Sequence, residues 1–110
     1  MSRPAARIAH VWEFQGRPGR ESEFESHYGP EGSWAKLFRS AEGYGGTVLL
    51  RDPAQRGRYV TIDHWESERA YERFRSAHAG EYAALDAACE ALTVSERPVG
   101  RFDAFAAEGP

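Results

Sequence analysis

The segment that most constrains the fold runs from Arg58 to Leu92, where an alternating pattern passes directly into a helical one. Its first eight residues read RYVTIDHW, and alternation of this kind is typical of a β-strand. One strand face carries Tyr59, Thr61, Asp63 and Trp65, and the other carries Val60, Ile62 and His64. Ser67 then predicts the N-cap of a long helix that ends near Leu92. Large side chains recur along this helix in steps of three and four, at Tyr71, Phe74, His78, Tyr82, Leu85, Cys89 and Leu92.

The remaining elements are shorter and are separated by glycine and proline. The patterns predict strands at Arg7–Phe14, Thr47–Arg51 and roughly Val99–Phe105, and short helices at Glu21–Tyr28 and from Ser33 through Phe38. The predicted order is therefore β-α-β-β-α-β. This order is typical of the α+β ferredoxin-like fold, a four-stranded antiparallel sheet with its helices on one face. At 110 residues the chain has room for one domain, 1–110, whose core spans about 7–105.

Such a sheet leaves its second face uncovered, although both faces of the first and third strands carry large apolar groups. A monomer rarely exposes a large contiguous apolar surface. We therefore expect a two-fold homodimer in which the two sheets face each other. His10 and His64 are expected at that interface, in a structural role.

Charge and composition disfavour several classes of partner. The net charge of −3 gives no positive field for nucleic acid or an anionic membrane. An RNA-recognition domain shares the predicted element order, but RYVTIDHW lacks that domain's basic and aromatic strand motif. No apolar run is long enough to cross a membrane and no signal peptide is recognisable, so we expect a cytoplasmic protein. The single cysteine, Cys89, agrees with a reducing compartment.

The sequence also lacks the motifs of common cofactor and metal sites. Its four histidines show neither HxH nor HExxH spacing. There is no phosphate-binding loop, and Gly43, Gly45 and Gly46 lie between a helix and a strand, the reverse of the order in a dinucleotide site. We expect no cofactor and no metal.

Two stretches of sequence resemble a known family. YVTIDHWESERAYERF, residues 59–74, and YGPEGSWAKLFRSAEGYGGTVLLRD, residues 28–52, are similar to the antibiotic biosynthesis monooxygenase family of dimeric α/β-barrel proteins. The resemblance covers about residues 7–105. It implies a dimer with a pocket between sheet and helices in each subunit. Members of the family include cofactor-independent oxygenases of aromatic polyketides, quinol monooxygenases and haem-degrading enzymes.

The resemblance carries over to some site residues only. Trp65 and Tyr71 match an aromatic pair that lines the pocket of the anthrone-oxidising members. Those members have an asparagine four residues before the tryptophan and an arginine on the helix, where this chain has Thr61 and Leu85. The haem-degrading members use an asparagine on the first strand, and this chain contains no asparagine.

A cofactor-free oxygenase needs a base, a dry pocket and groups that hold an anion, because its substrate supplies the electrons to O₂. The candidate catalytic residues are His78 and Asp63 as bases and Tyr71 as a hydroxyl donor to an oxyanion or peroxide. The candidate substrate-binding residues are Trp65, Phe74, Tyr82, Thr61 and Trp34. These residues also have a structural interpretation. The large side chains that recur along the helix, His78 among them, could simply form the core, and Asp63 could form a salt bridge with an arginine.

The sequence therefore predicts a cofactor-independent monooxygenase that oxidises an aromatic or polyketide-like small molecule with O₂. The alternative is a non-catalytic small-molecule-binding or accessory dimer of the same fold. Altered turnover on substitution of His78, Asp63 or Tyr71 would favour the enzyme, and altered stability alone would favour the binding protein.

Overall fold

A computed structural model describes residues 7–105 of the chain, which form one sheet and one layer of helices. The strands are β1 (Arg7–Gly16), β2 (Tyr44–Arg51), β3 (Arg58–Trp65) and β4 (Thr93–Ala104), and the helices are α1 (Glu21–Tyr28), α2 (Ser33–Phe38), α3 (Glu68–Ala77) and α4 (Ala79–Cys89). A 3₁₀ turn, Glu90–Leu92, joins α4 to β4.

The four strands form an antiparallel sheet in the order β2-β3-β1-β4. The two central strands, β1 and β3, are adjacent, and β2 and β4 form the edges. This arrangement confirms the predicted α+β ferredoxin-like fold with a four-stranded antiparallel sheet. The predicted bounds of α1, α2 and β3 agree with the structure.

The helix-covered face of the sheet holds an aromatic core. Phe14 on β1 and Tyr59 on β3 are register partners, and the Phe24 ring of α1 lies 4.5 Å from that of Tyr59. At the opposite end of β3, the fully buried Trp65 ring packs between Phe38 and Phe74, each 5.4 Å away. Aromatic rings therefore fix the spacing between the sheet and the helices at both ends of β3.

The predicted long helix is wrong in one respect, because it is divided at His78. The backbone of this residue, at φ −121° and ψ 31°, ends α3 and begins α4. Its ring is held by Glu81 and lies near Ser40, and Gly80 follows closely as a poor helix former. The side-chain spacing of four residues continues across the break, so periodicity alone could not reveal it. Ser67 is the N-cap as predicted, and its hydroxyl accepts a 3.1 Å hydrogen bond from Ala70 N.

The strand bounds of β2 and β4 also differ from the prediction. β2 begins at Tyr44, so Gly45 and Gly46 belong to the strand rather than to the loop before it. β4 begins at Thr93, six residues before the predicted start. Its first half, TVSERP, is polar and contains a proline, and it reads poorly as a strand because it lies at an exposed sheet edge, where polar side chains and proline are tolerated.

The outer face of the sheet is not covered by any described element. Val48 and Leu50 of β2 are 41% and 48% exposed there, and Phe102 of β4 is 49% exposed. Ile62 and Val60, the register partners of Val48 and Leu50, are partly buried, and Phe102 pairs with Ala9 at the opposite edge of the sheet. His10 does not lie on this face, contrary to the expectation from sequence. It is buried under α3, since it shares the face of its register partner Asp63.

Among residues 7–105, no helix is both long and apolar enough to cross a membrane.

Candidate functional site

A cavity of about 80 Å³ opens between the helix-covered face of the sheet and the helices α1, α2 and α4. Its wall consists mainly of aromatic rings, with hydroxyls at its sheet side and carboxylates from three different elements. The lining residues are Trp12, Phe14, Tyr28, Trp34, Phe38, Thr47, Thr61, Asp63, Tyr82, Asp86 and Glu96.

The sheet register brings the polar lining residues together. Thr61 and Asp63 lie two residues apart on β3 and therefore point to the same face. Thr47 of β2 is the register partner of Asp63, and Trp12 of β1 is the register partner of Thr61. Three neighbouring strands thus supply a carboxylate, two hydroxyls and an indole to one side of the cavity.

Asp63 is held by a short chain of hydroxyls. Thr47 Oγ1 donates to Asp63 Oδ1 at 2.6 Å, and Tyr44 Oη lies 2.6 Å from Thr47 Oγ1. The single hydroxyl proton of Thr47 is used on Asp63, so Tyr44 is the donor in the second bond. Burial raises the pKa of Asp63 to about 6, although the hydrogen bond from Thr47 acts in the opposite direction. Asp63 is therefore a carboxylate that gains and loses its proton close to neutral pH.

The helical side of the cavity is aromatic. The Trp34 ring of α2 lies 4.9 Å from the Tyr82 ring of α4 in an edge-on arrangement, and 6.2 Å from the Tyr28 ring of α1. Burial raises the pKa of the Tyr28 and Tyr82 hydroxyls, so both remain protonated donors at neutral pH. The Trp34 indole Nε1 is buried and has no hydrogen-bond partner within residues 7–105.

The rim of the cavity is acidic. Asp86 of α4 and Glu96 of β4 are both exposed residues that line it. Burial raises the pKa of the Glu96 carboxyl, and the negative charges of Asp86 and Glu90 raise it further. No arginine, lysine or histidine is found among the described residues that line the cavity.

Four of the eight site residues predicted from sequence line this cavity: Asp63, Thr61, Trp34 and Tyr82. The alternative interpretation of Asp63, a salt bridge with an arginine, is not what the described part of the chain shows, since its hydrogen bond comes from Thr47. Trp65 and Phe74 lie in the adjacent core, where their ring centroids are 5.4 Å apart.

His78 lies on a different surface from Asp63. Its ring stacks on Phe74 with centroids 5.3 Å apart, and its Nδ1 lies 3.0 Å from Glu81 Oε1. Both His78 and Phe74 line a separate groove of about 210 Å³ that also includes Ser40 and Glu42. The structure therefore does not bring His78 and Asp63 into one cavity.

Tyr71 belongs to a third cluster, at the start of α3. Its ring meets the His10 ring edge-on at 4.4 Å, and its hydroxyl accepts a 3.1 Å hydrogen bond from Arg75. His10 Nε2 lies 2.8 Å from Glu68 Oε1, and Arg101 donates to Glu68 Oε2 at 2.6 Å. Tyr71 is thus held by charged neighbours outside the cavity.

Sequence reasoning missed several lining residues, among them Thr47, Asp86 and Glu96. Trp12 carried a detectable signal, because strand alternation places it on the same face as Phe14, which also lines the cavity. Asp86 and Glu96 carried none, because a single acidic residue on an exposed helix or edge strand is normally a solvated surface group.

Within residues 7–105, no group of three or more potential ligands is arranged to hold a metal ion. The three cavity carboxylates therefore do not form a metal centre.

Comparison with known proteins identifies the family. The sequence model of the antibiotic biosynthesis monooxygenase family matches residues 7–85, which is most of the chain. The chain therefore belongs to the antibiotic biosynthesis monooxygenase family. Comparison with curated proteins gives no match.

Solved structures with this fold include an oxygenase. A mutant of SnoaB, a cofactor-independent oxygenase from Streptomyces nogalater, is 27% identical, with a TM-score of 0.75 over 92% of this chain and 95% of that one. SnoaB itself is also 27% identical, with a TM-score of 0.72 over 94% and 97% of the two chains. PA3566 from Pseudomonas aeruginosa, at 16% identity and a TM-score of 0.67, covers 96% of this chain and shares the fold.

Proposed function

We propose that this protein is a cofactor-independent monooxygenase that oxidises an aromatic or polyketide-like small molecule with O₂, with Asp63 as the base. The observation that carries the proposal is the position of Asp63, a carboxyl with a pKa of about 6 that lines an aromatic cavity. A base with this pKa is ionised at neutral pH and still takes up a proton readily. Membership of a monooxygenase family and the likeness to SnoaB support the same reaction class.

The chemistry needs no group beyond substrate, O₂ and a base. Asp63 removes a proton from an acidic ring C–H, of the kind found in an anthrone, and leaves an electron-rich anion. This anion passes one electron to O₂, and the resulting radical pair combines into a hydroperoxide anion that recovers the proton from Asp63. Loss of water from the hydroperoxide gives the ketone, so that one CH₂ and one O₂ become one C=O and one H₂O.

The surroundings of Asp63 suit both the deprotonation of the substrate and the reaction of its anion with O₂. The rings of Trp34 and Tyr82 provide flat walls that hold an aromatic substrate and exclude water from the anion. The Tyr82 hydroxyl stays protonated and is available to an oxyanion. The Thr61 hydroxyl is buried in the same wall, where the anthrone-oxidising relatives carry an asparagine.

We also propose that the protein is a homodimer formed through the outer face of the sheet. Val48 and Leu50 expose apolar surface at one edge of this face, with Ile62 and Val60 beside them, and Phe102 exposes apolar surface at the other edge. Burial of this surface against a second copy would remove it from water and leave the cavity, on the opposite face, open to substrate.

Oxygen uptake tests the reaction directly. Chelator-treated protein is supplied with anthrones, hydroquinones and polyphenols, and the wild type is compared with Asp63→Asn and His78→Gln. We expect uptake above the buffer rate in the wild type and a loss of about 100-fold or more in Asp63→Asn. His78→Gln is expected to retain activity, because His78 lies outside the cavity.

The other outcomes separate the alternatives. Loss of activity in His78→Gln with activity retained in Asp63→Asn would move the base to His78. Binding without uptake across the panel would instead indicate a non-catalytic binding or accessory protein.

A further inference from the structure

The charge of the cavity is as distinctive as its aromatic wall. Eight of the thirteen carboxylates elsewhere in residues 7–105 have a basic partner: Arg58, for example, pairs with both Glu13 and Asp52. The two rim carboxylates, Asp86 and Glu96, make no ion pair within residues 7–105, and no basic residue of that range lines the cavity beside them. A third carboxylate, Asp63, lines the same space.

One cation acts on this rim from outside the cavity. The Arg75 guanidinium lies 3.7 Å from the centroid of the Tyr82 ring, but Arg75 does not line the cavity. The Asp86 charge acts on Arg75, whereas the charges that act on Glu96 are those of Asp86 and Glu90, both negative. The mouth of the cavity therefore has a negative potential that an anion would meet unfavourably.

Aromatic walls and a negative mouth together favour one kind of ligand. The faces of Trp, Tyr and Phe rings attract cations, and this attraction increases when the cation is partly removed from water. Trp34, only 8% exposed, contributes its ring to this wall together with Trp12 and Tyr82. No described group of three ligands could hold a metal, so the expected cation is organic.

We propose that the cavity selects aromatic ligands that carry a protonated amine, and that Glu96 and Asp86 recognise this amine at the rim while the ring lies among Trp12, Trp34 and Tyr82. The inference rests on the proposed function only for the aromatic nature of the substrate. The charge preference is a property of binding and does not depend on turnover.

Three phenols of similar size and different charge test this preference: tyramine, a cation; tyrosol, which is neutral; and 4-hydroxyphenylacetate, an anion. Binding is followed by NMR at 0.15 M salt through the indole N–H signals. Trp12 and Trp34 line the cavity, and Trp65 in the core serves as an internal reference. We expect tyramine to bind about tenfold more tightly than tyrosol and 4-hydroxyphenylacetate to bind most weakly.

The variants assign the preference to the rim. The double variant Glu96→Gln with Asp86→Asn is expected to bring tyramine and tyrosol within about twofold of each other. The double variant Glu72→Gln with Asp103→Asn removes the same two charges from exposed positions outside the cavity and is expected to keep the preference. Both substituted rim residues are exposed, and a thermal unfolding curve of each variant confirms that it is folded.

The proposal is overturned if tyrosol or the anion binds as tightly as tyramine, if tyramine does not bind, or if the double variant keeps the full preference. These results leave the oxygenase proposal intact when neutral anthrones are still oxidised. Conversely, a charge preference without oxygen uptake supports this inference and contradicts the proposed reaction.

Discussion

Thr47 and Asp63 are register partners on β2 and β3, and the Thr47 hydroxyl donates a 2.6 Å hydrogen bond to the Asp63 carboxylate. This bond is the only one that an Asp63 oxygen receives from a side chain in the described residues. It stabilises the charged form, and burial opposes it more strongly, with the result that the pKa stands at about 6. The balance between these two effects sets the protonation state of the proposed base.

The cost of keeping this carboxyl buried predicts how stability depends on pH. The folded pKa, about 6, lies above the ordinary value of 3.8, so the folded state binds the proton more tightly than the unfolded state. Stability is therefore lost as pH rises from about 4 to 6. Asp63→Asn removes this cost and is expected to exceed the wild type in unfolding free energy by up to about 3 kcal/mol at pH 8, with no such gain below pH 4.

Urea unfolding at pH 3.5 and pH 8 measures this difference. Asp103→Asn, a change at an exposed carboxylate, is the matched control. An equal effect of Asp63→Asn at both pH values would contradict the assigned burial cost.

Removal of the Thr47 hydroxyl should raise the pKa of Asp63 further. Thr47→Val keeps the branched shape but leaves the carboxylate without its donor, and the charged form loses stabilisation. We expect the midpoint of the Asp63 carboxyl titration, followed by carbon-13 NMR, to move to higher pH than in the wild type. A midpoint that is unchanged or lower would show that the hydrogen bond does not control the carboxyl.

Substitution of Trp65 should act on stability. The ring is fully buried among Phe38, Tyr44, Tyr71 and Phe74. Trp65→Ala is expected to cost about 3 to 5 kcal/mol in unfolding free energy. Trp65→Phe is expected to cost less, since the indole Nε1 has no partner in the described structure and no hydrogen bond is lost. Denaturant unfolding of both variants measures these two losses of unfolding free energy. Equal losses for Trp65→Ala and Trp65→Phe would contradict this placement of the ring.

A hydrophobic pattern predicts which face of a strand or helix a residue lies on, and for β3 this prediction agrees with the structure. Strand alternation placed Thr61, Asp63 and Trp65 on one face, and the structure confirms that this face meets the helices. Alternation does not predict which residues on that face are packed in the core and which line a cavity. It therefore could not distinguish Trp65, which lies in the core, from Asp63, which lines the cavity. His78 lies at a helix break that its four-residue spacing from Phe74 conceals.

The parts of the site formed by residues far apart in the chain were the hardest to predict from sequence. Glu96 and Trp12 come close only through the pairing of β4 with β1, and β4 begins within a polar stretch that does not resemble a strand. The register of an edge strand depends on its neighbour rather than on its own pattern.

The proposed dimer predicts a change of mass. Leu50→Asp places a charge within the exposed apolar surface of β2, which a sheet-to-sheet contact would bury. Light scattering is expected to show a dimer for the wild type and a monomer for this variant. Ala84→Asp, an exposed change on α4, is expected to remain dimeric. A wild type that is monomeric at all concentrations would contradict the interface.

The pH dependence of oxygen uptake tests the central claim most directly, because the reaction requires Asp63 in its ionised form. With an anthrone or hydroquinone that the chelator-treated wild type oxidises, kcat/KM is expected to rise about tenfold per pH unit below the pKa and to level off above about pH 6. Asp63→Asn should lose this ionisation together with the activity. A wild-type profile that is flat from pH 4.5 to 8, or an Asp63→Asn variant that retains both rate and profile, would contradict the assignment of Asp63 as the base.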